Sequence, residues 1–188
     1  KVLGAAGEPD VETQAVIIAS GFSTEFSEAA LHEARSASSS FRPTEDAGDV
    51  SRESLLESFI FTIDPPDARD FDDAISIERH EEEDEWTLGV HIADVARFVP
   101  AGGPLDQDAI GRGNSVYLPR HVIPMLPEIL SNGVCSLQEG VERYTMSAFI
   151  RYDRRGRVIG QRFARTVIRS RKRLTYLEAQ ALIDGDHE

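Results

Sequence analysis

The chain has 188 residues, 40% of them hydrophobic, which is enough for one domain with a real core and is not a disordered composition. Its one cysteine, Cys135, excludes an internal disulfide and a thiolate zinc cluster, and points to a reducing compartment, read here as the cytoplasm. The net charge of −13 argues against a nucleic-acid partner unless the positive charges are gathered locally.

No apolar run approaches the roughly 18 to 20 residues that span a bilayer, so no membrane partner is expected. The opening "KVLGAAGEPD" lacks the regions of a signal peptide, and a start at Lys1 suggests a piece cut from something longer. Residues 1–24 hold the run "TQAVIIASGF", which reads as a short β-strand ending at Gly21. In "STEFSEAALHEARS", Phe26, Ala30 and Leu31 stand at helical spacing behind Thr24 or Ser27 as a cap, which predicts a short helix. The stretch "ASSSFRPTEDAGDVSRESL" has no period and reads as a linker, so residues 25–56 comprise a helix and a linker.

From Glu57 the patterns strengthen. "SFIFTI" is a β-rich run, "DAISIER" alternates like a strand, "EEEDE" is an exposed turn and "WTLGVHIADV" reads as a buried strand, giving an antiparallel pair. "PLDQDAIGRG" predicts one or two helical turns stopped by glycine, "NSVYLP" a short strand and "MLPEIL" a short helix. Two strands around a "DRRGR" turn follow, and Thr175 with Glu178 has the spacing of a capping box for a helix over "YLEAQALID" that stops by Gly185. The expected class is mixed α/β, with largely antiparallel strands and short helices.

Two charge features stand out. Between Arg151 and Arg173 lie ten basic residues and one acid, Asp153, which is either a strand pair with solvated charged faces or a phosphate-binding surface. Within it Arg169, Arg171, Lys172 and Arg173 lead into Tyr176 and suit phosphates best, while the "RRGR" arginines suit solvent. The second feature is "TIDPPDARDFDDAIS", with Asp64, Asp67, Asp70, Asp72 and Asp73 around Arg69. Carboxylates this close raise one another's pKa unless a cation neutralises them. Oxygen ligands suit Mg²⁺, which binds through a few carboxylates plus substrate phosphates, whereas the calcium loop of an EF-hand fails on its sixth and twelfth positions. Phe71 between the aspartates and "AISI" after them indicate a segment anchored in a core. His91 and Cys135 read as buried packing residues.

Together "TIDPPDARDFDDAISI", "GVHIADVARFV", "RGNSVYLPRHVIPMLPEILSNGVCSL" and "SRKRLTYLEAQ" resemble, in order, the catalytic RNB domain of the ribonuclease II and ribonuclease R family of 3′→5′ exoribonucleases. The resemblance covers roughly Phe59 to Gly185 and takes residues 57–188 as the N-terminal part of that domain. A weaker similarity makes residues 1–24 the tail of a cold-shock domain. Pro65 and Pro66 replace the family's usual Gly-acidic pair, and Asn114 a common threonine.

The resemblance implies that Asp64, Asp70, Asp72 and Asp73 hold Mg²⁺, with Mn²⁺ as a substitute, and that Asp72 is needed for cleavage and not for binding. It also implies that Tyr117 packs on RNA bases and that Tyr176 lies near the 3′-terminal nucleotides. The expected function is then Mg²⁺-dependent, processive hydrolysis of single-stranded RNA to nucleoside 5′-monophosphates, and the rival is a non-catalytic RNA-binding module of the same fold. The family's second half supplies an arginine and a glutamate to the site, so activity of this piece alone is in question. Half a domain would expose apolar surface, so self-association is also expected.

Overall fold

The computed structural model describes residues 2–43, 52–119 and 121–185. The middle of the expected linker, residues 44–51, lies outside the described residues. Its flanks do not: helix α2 (Glu28–Ser40) runs into the linker's first residues, and strand β1 (Glu53–Leu55) takes its last. Ser27 caps α2, its hydroxyl accepting from the Ala30 amide at 3.2 Å, as its type at that position predicts.

The expected strand within residues 1–24 is instead helix α1 (Pro9–Ala19). Pro9 presets the first helical φ, Asp10 and Glu12 suit the positive end of the helix dipole, and Gly21, at φ +69°, ends the turn that follows. The run "AVIIA" has no alternation to hold it in a sheet, and only Ile17 of α1 is buried.

The main sheet has seven strands in the order β1-β8-β7-β4-β3-β2-β9, completed by β2 (Ile60–Asp64), β3 (Asp73–His80), β4 (Glu85–Ala93), β7 (Glu142–Tyr152), β8 (Val158–Arg169) and β9 (Lys172–Thr175). Its centre is antiparallel, as expected. The two outer pairs, β1 with β8 and β2 with β9, are parallel. Strands β5 (Val116–Leu118) and β6 (His121–Ile123) form a separate hairpin. Helix α3 (Pro104–Arg112) ends at Gly113 and α4 (Tyr176–Asp184) ends at Gly185, and the Thr175–Glu178 capping box closes on both of its bonds. The helix expected over "MLPEIL" shifts toward the C-terminus, to a wide turn over Leu130–Val134.

The apolar core gathers at one end of the sheet, where Ile60, Phe71, Ala74, Tyr144 and Ile168 meet Ala30 and Ala34 of α2, Leu105 of α3, and Leu130 and Leu137. Glu33 of α2 caps α3 by accepting from the Leu105 amide at 2.8 Å, which locks the two helices together. Cys135 is buried, and burial pushes its thiol up to about 12, so it is an inert packing residue.

Under the sheet's curled face lies a buried polar ladder. His91 is fully enclosed, with Nε2 3.0 Å from Ser76 Oγ and Nδ1 2.7 Å from Ser147 Oγ, and Ser147 continues to Thr166 and Thr145. Gly89 is the neighbour that allows this, because a Cβ there would strike the Ser76 hydroxyl and the His91 ring. Burial lowers the His91 pKa from 6.5 to about 4. Unfolded chains therefore hold the extra proton between those values, and the stability from neutral His91 is full above about pH 6.5 and is lost as pH falls toward 4. Between pH 7 and 5 this costs about 2 kcal/mol. Urea unfolding at the two pH values should show that loss in the wild type and not in His91→Asn; an equal pH dependence in both would contradict it.

The opposite face is apolar and open. Register aligns Ile75 and Ile77 with Val90 and Leu88, then with Ala148 and Ile150, while Ile92 pairs with Met146. Ile77, Ile92, Met146 and Phe163 are exposed there. Among the described residues, no helix is long and apolar enough to cross a membrane.

Candidate active site

Strand β2 delivers Asp64 at its C-terminal end, and β3 begins at Asp73. The eight residues between them form a loop that is tied down at nearly every peptide. Pro65 and Pro66 open it with a tight turn closed by the Ala68 amide on the Pro65 carbonyl, at 3.1 Å. Further on, the Leu137 amide donates to the Phe71 carbonyl and the Ala93 amide to the Asp72 carbonyl, each at 2.9 Å. Phe71 is buried in the core, so its neighbours Asp70 and Asp72 face outward. The sequence pattern of one aromatic between aspartates thus becomes an anchor with a carboxylate on either side.

These carboxylates act on one another. Desolvation holds Asp72 above the ordinary carboxylate range, with Asp70, Asp73 and Asp64 adding to the effect. Its side chain remains open to solvent on one side, so the neighbouring charges are the part of this shift that a cation would reverse. Desolvation likewise raises Asp64, with Asp73 and Asp70 pushing the same way and Arg173 opposing. The Thr62 hydroxyl also opposes the shift, without closing a hydrogen bond of ordinary geometry. Asp64 Oδ2 is buried and has no hydrogen-bond partner. An orphaned carboxylate oxygen beside three further carboxylates fits a hard divalent cation. Among the described residues no group of three or more histidine, cysteine, aspartate or glutamate side chains is arranged to hold a metal ion, so a shell here needs the carboxylates to draw together and phosphate oxygens, water or further side chains to complete it.

The fold brings both tyrosines to this loop. Tyr117, on the β5–β6 hairpin, donates its hydroxyl to Asp70 Oδ2 at 2.8 Å, and that bond raises the phenol's pKa above its usual value. The parallel register of β2 and β9 sets Asp64 opposite Thr175, so Tyr176 follows directly beside it. Both rings are exposed, at 65% for Tyr117 and 60% for Tyr176, which leaves aromatic faces free to stack on bases.

The basic residues separate. Arg173 Nη2 donates to the carbonyls of Pro65 and Pro66 at 3.0 and 2.7 Å, and its guanidinium lies 5.0 Å from the Phe71 ring. Arg169 is held by Glu142 and Arg171 by Glu57 and the Leu56 carbonyl, while Lys172 is exposed. Upstream, Arg151 pairs with Glu85, Arg157 with Asp153 and Arg162 with Glu53. Much of the positive charge in this segment therefore answers acids elsewhere in the fold, mostly in exposed pairs of small energetic value. Asp67 sits in the exposed turn. Ser136, whose hydroxyl touches the loop twice, is next to last in one of the stretches that carry the family resemblance, but it is uncharged and spacing alone gives no signal for its role.

A family profile described as "RNB domain" matches residues 52–188. Ribonuclease R of Thermotoga maritima is 45% identical over 94% of this chain and 24% of its own length. Ribonuclease R of Acidithiobacillus ferrooxidans is 42% identical over the whole chain and 42% of its own length. The chain thus spans less than half of these relatives. Among solved structures, Mycoplasma genitalium RNase R in complex with ribose methylated single-stranded RNA superposes with a TM-score of 0.88 at 29% identity, covering all of this chain and 29% of that one. Yeast Ssd1, a pseudonuclease, gives 0.75 at 19% identity over 96% of this chain and 23% of its own, a likeness of fold alone.

Proposed function

We propose, because the chain belongs to the RNB domain family, that it is the carboxylate-bearing part of a 3′→5′ exoribonuclease that hydrolyses single-stranded RNA processively to nucleoside 5′-monophosphates. The observation that carries this reading is the anchored loop presenting Asp64, Asp70, Asp72 and Asp73 beside two exposed tyrosines. Mg²⁺, or Mn²⁺ in its place, would be held by these four aspartates and would supply the charge stabilisation that phosphodiester hydrolysis needs. The protein's own groups do the rest. Tyr117 and Tyr176 stack on the last bases, an interaction worth about 1 to 3 kcal/mol per base and indifferent to sequence. Arg173 braces the start of the loop, and Lys172 is the basic residue of its group left open to phosphates. Arg169 and Arg171 would have to exchange their carboxylates for phosphate to contribute.

A cytoplasmic setting is part of the same proposal, and the open apolar sheet face supports self-association of this chain. The rival reading is an RNA-binding module of the same fold that does not cleave. Against it stand four aspartates in one anchored loop. Digestion of 5′-labelled single-stranded RNA by the whole protein that carries this chain decides between them. Conversion of the RNA directly to a short 5′-labelled end product, with nucleoside 5′-monophosphates released from a uniformly labelled copy, supports the processive exonuclease; bound RNA left whole supports the rival.

A further inference from the structure

We propose that Ser136 is the positioning residue of the aspartate loop, setting where the carboxylates of Asp70 and Asp72 stand. Its side chain is fully buried, with no exposed surface. Its hydroxyl makes two bonds and both go to the loop: it donates to the Arg69 carbonyl at 2.7 Å and accepts from the Phe71 amide at 3.2 Å. Those two peptides bracket Asp70. The next residue, Leu137, donates its amide to the Phe71 carbonyl at 2.9 Å, so the pair reads both sides of Phe71 and sets the start of Asp72 as well.

The support behind Ser136 is rigid. Arg143 on β7 donates from Nε to the Ser136 carbonyl at 2.8 Å and from Nη2 to the Gly133 carbonyl at 3.2 Å, fastening the turn to the sheet. Other bonds hold the ends of this loop, which has no regular secondary structure of its own between residues 65 and 72, and the Ser136 hydroxyl is what transmits the position of the sheet to its middle, on either side of Asp70. Removing it leaves the buried Phe71 amide and the part-buried Arg69 carbonyl without their partner, and the amide regains one only if the loop shifts. Such a shift moves the Asp70 carboxylate against its bond from Tyr117, because among the described residues the two backbone bonds that flank Asp70 both end on Ser136.

The inference rests on the loop being a cation site, and calorimetric titration of Mn²⁺ into the whole protein that carries this chain tests it without any cleavage assay. Ser136→Ala should raise the Mn²⁺ dissociation constant about tenfold, the scale seen when a group that orients metal ligands is lost. Thr166→Val, which removes a buried hydroxyl from the polar ladder on β8, is the control: it should lower the melting temperature comparably and leave Mn²⁺ affinity within about twofold. Ser136→Cys keeps the size and a weak donor. It should fall between wild type and alanine, and it is the variant to read if alanine does not fold. Wild-type affinity in folded Ser136→Ala or Ser136→Cys overturns the inference alone. An equal loss in Thr166→Val shows a merely structural effect and also overturns it. Failure of the wild-type whole protein to bind Mn²⁺ overturns the cation reading and this inference together.

Discussion

Asp72→Asn in the whole protein that carries this chain should lower the rate of RNA cleavage by at least about 10²-fold, the scale lost with a single group that stabilises charge in the transition state. RNA affinity should stay within about twofold. The two effects separate because Asp72 faces solvent in the midst of Asp70, Asp73 and Asp64, whereas the aromatic faces proposed to stack on bases, those of Tyr117 and Tyr176, belong to other elements. The backbone should not move: the Asp72 carbonyl, not its carboxylate, is what the Ala93 amide holds. The substitution removes one negative charge and keeps the shape, so the loop's own repulsion falls and the melting temperature should rise slightly or hold. Single-turnover cleavage and filter binding on the same preparation give both numbers. Parallel loss of binding and cleavage would place Asp72 in RNA recognition instead.

Arg52→Ala should destabilise the domain by about 3 to 5 kcal/mol, the cost of breaking a buried ion pair by removing one partner. Arg52 Nη2 lies 2.6 Å from Asp94 Oδ2, with side chains only 11% and 8% exposed. Its guanidinium also covers the Tyr144 ring at 4.1 Å and reaches the Thr166 carbonyl at 3.5 Å. Alanine therefore removes packing, a cation–π contact and the charge that balances Asp94. A paired replacement, Arg52→Met with Asp94→Leu, should be less damaging than either single change, since no buried charge is left over. Urea unfolding measures all four variants, and a loss below about 1 kcal/mol in Arg52→Ala would show that water reaches the pair. The pair has a bearing on the site, because Asp94 follows directly on Ala93, whose amide holds the loop at Asp72.

Local patterns were legible wherever the physics is local. The alternation of "DAISIER", the Ser27 cap and the Thr175–Glu178 box each depend on residues a few positions apart and form as read, while "WTLGVHIADV" is the expected strand but buried on one face only, with Trp86 and Ile92 exposed. The strand expected in "TQAVIIASGF" failed because a short β-branched run says nothing about whether a neighbouring strand exists to pair with it, while Pro9 and the acids of the first turn favour a helix. The parallel partners of β2 and β8 were hidden for the same reason. Strand β9 reaches β2 from more than a hundred residues away, and that pairing is what sets Tyr176 beside Asp64.

In the candidate site the aspartates could be read because like charges crowded together demand an explanation. The tyrosines came only from the family resemblance, and the bond from Tyr117 to Asp70 depends on a hairpin that spacing does not position. The basic run was legible as charge and not as contacts: its arginines are shared among Glu53, Glu85, Glu142 and Glu57, whose nearness is a product of the sheet's register. Ser136 was silent because a neutral hydroxyl shows its role only once its two bonds are seen.

The most direct measurement of the central claim is cleavage of 5′-labelled single-stranded RNA by the whole protein in Mg²⁺, in EDTA, and in EDTA followed by excess Mg²⁺. Cleavage that stops on chelation and returns with the cation is the predicted result, because the four aspartates repel one another without it. Undiminished cleavage in EDTA would contradict the account and remove the aspartate loop from the chemistry.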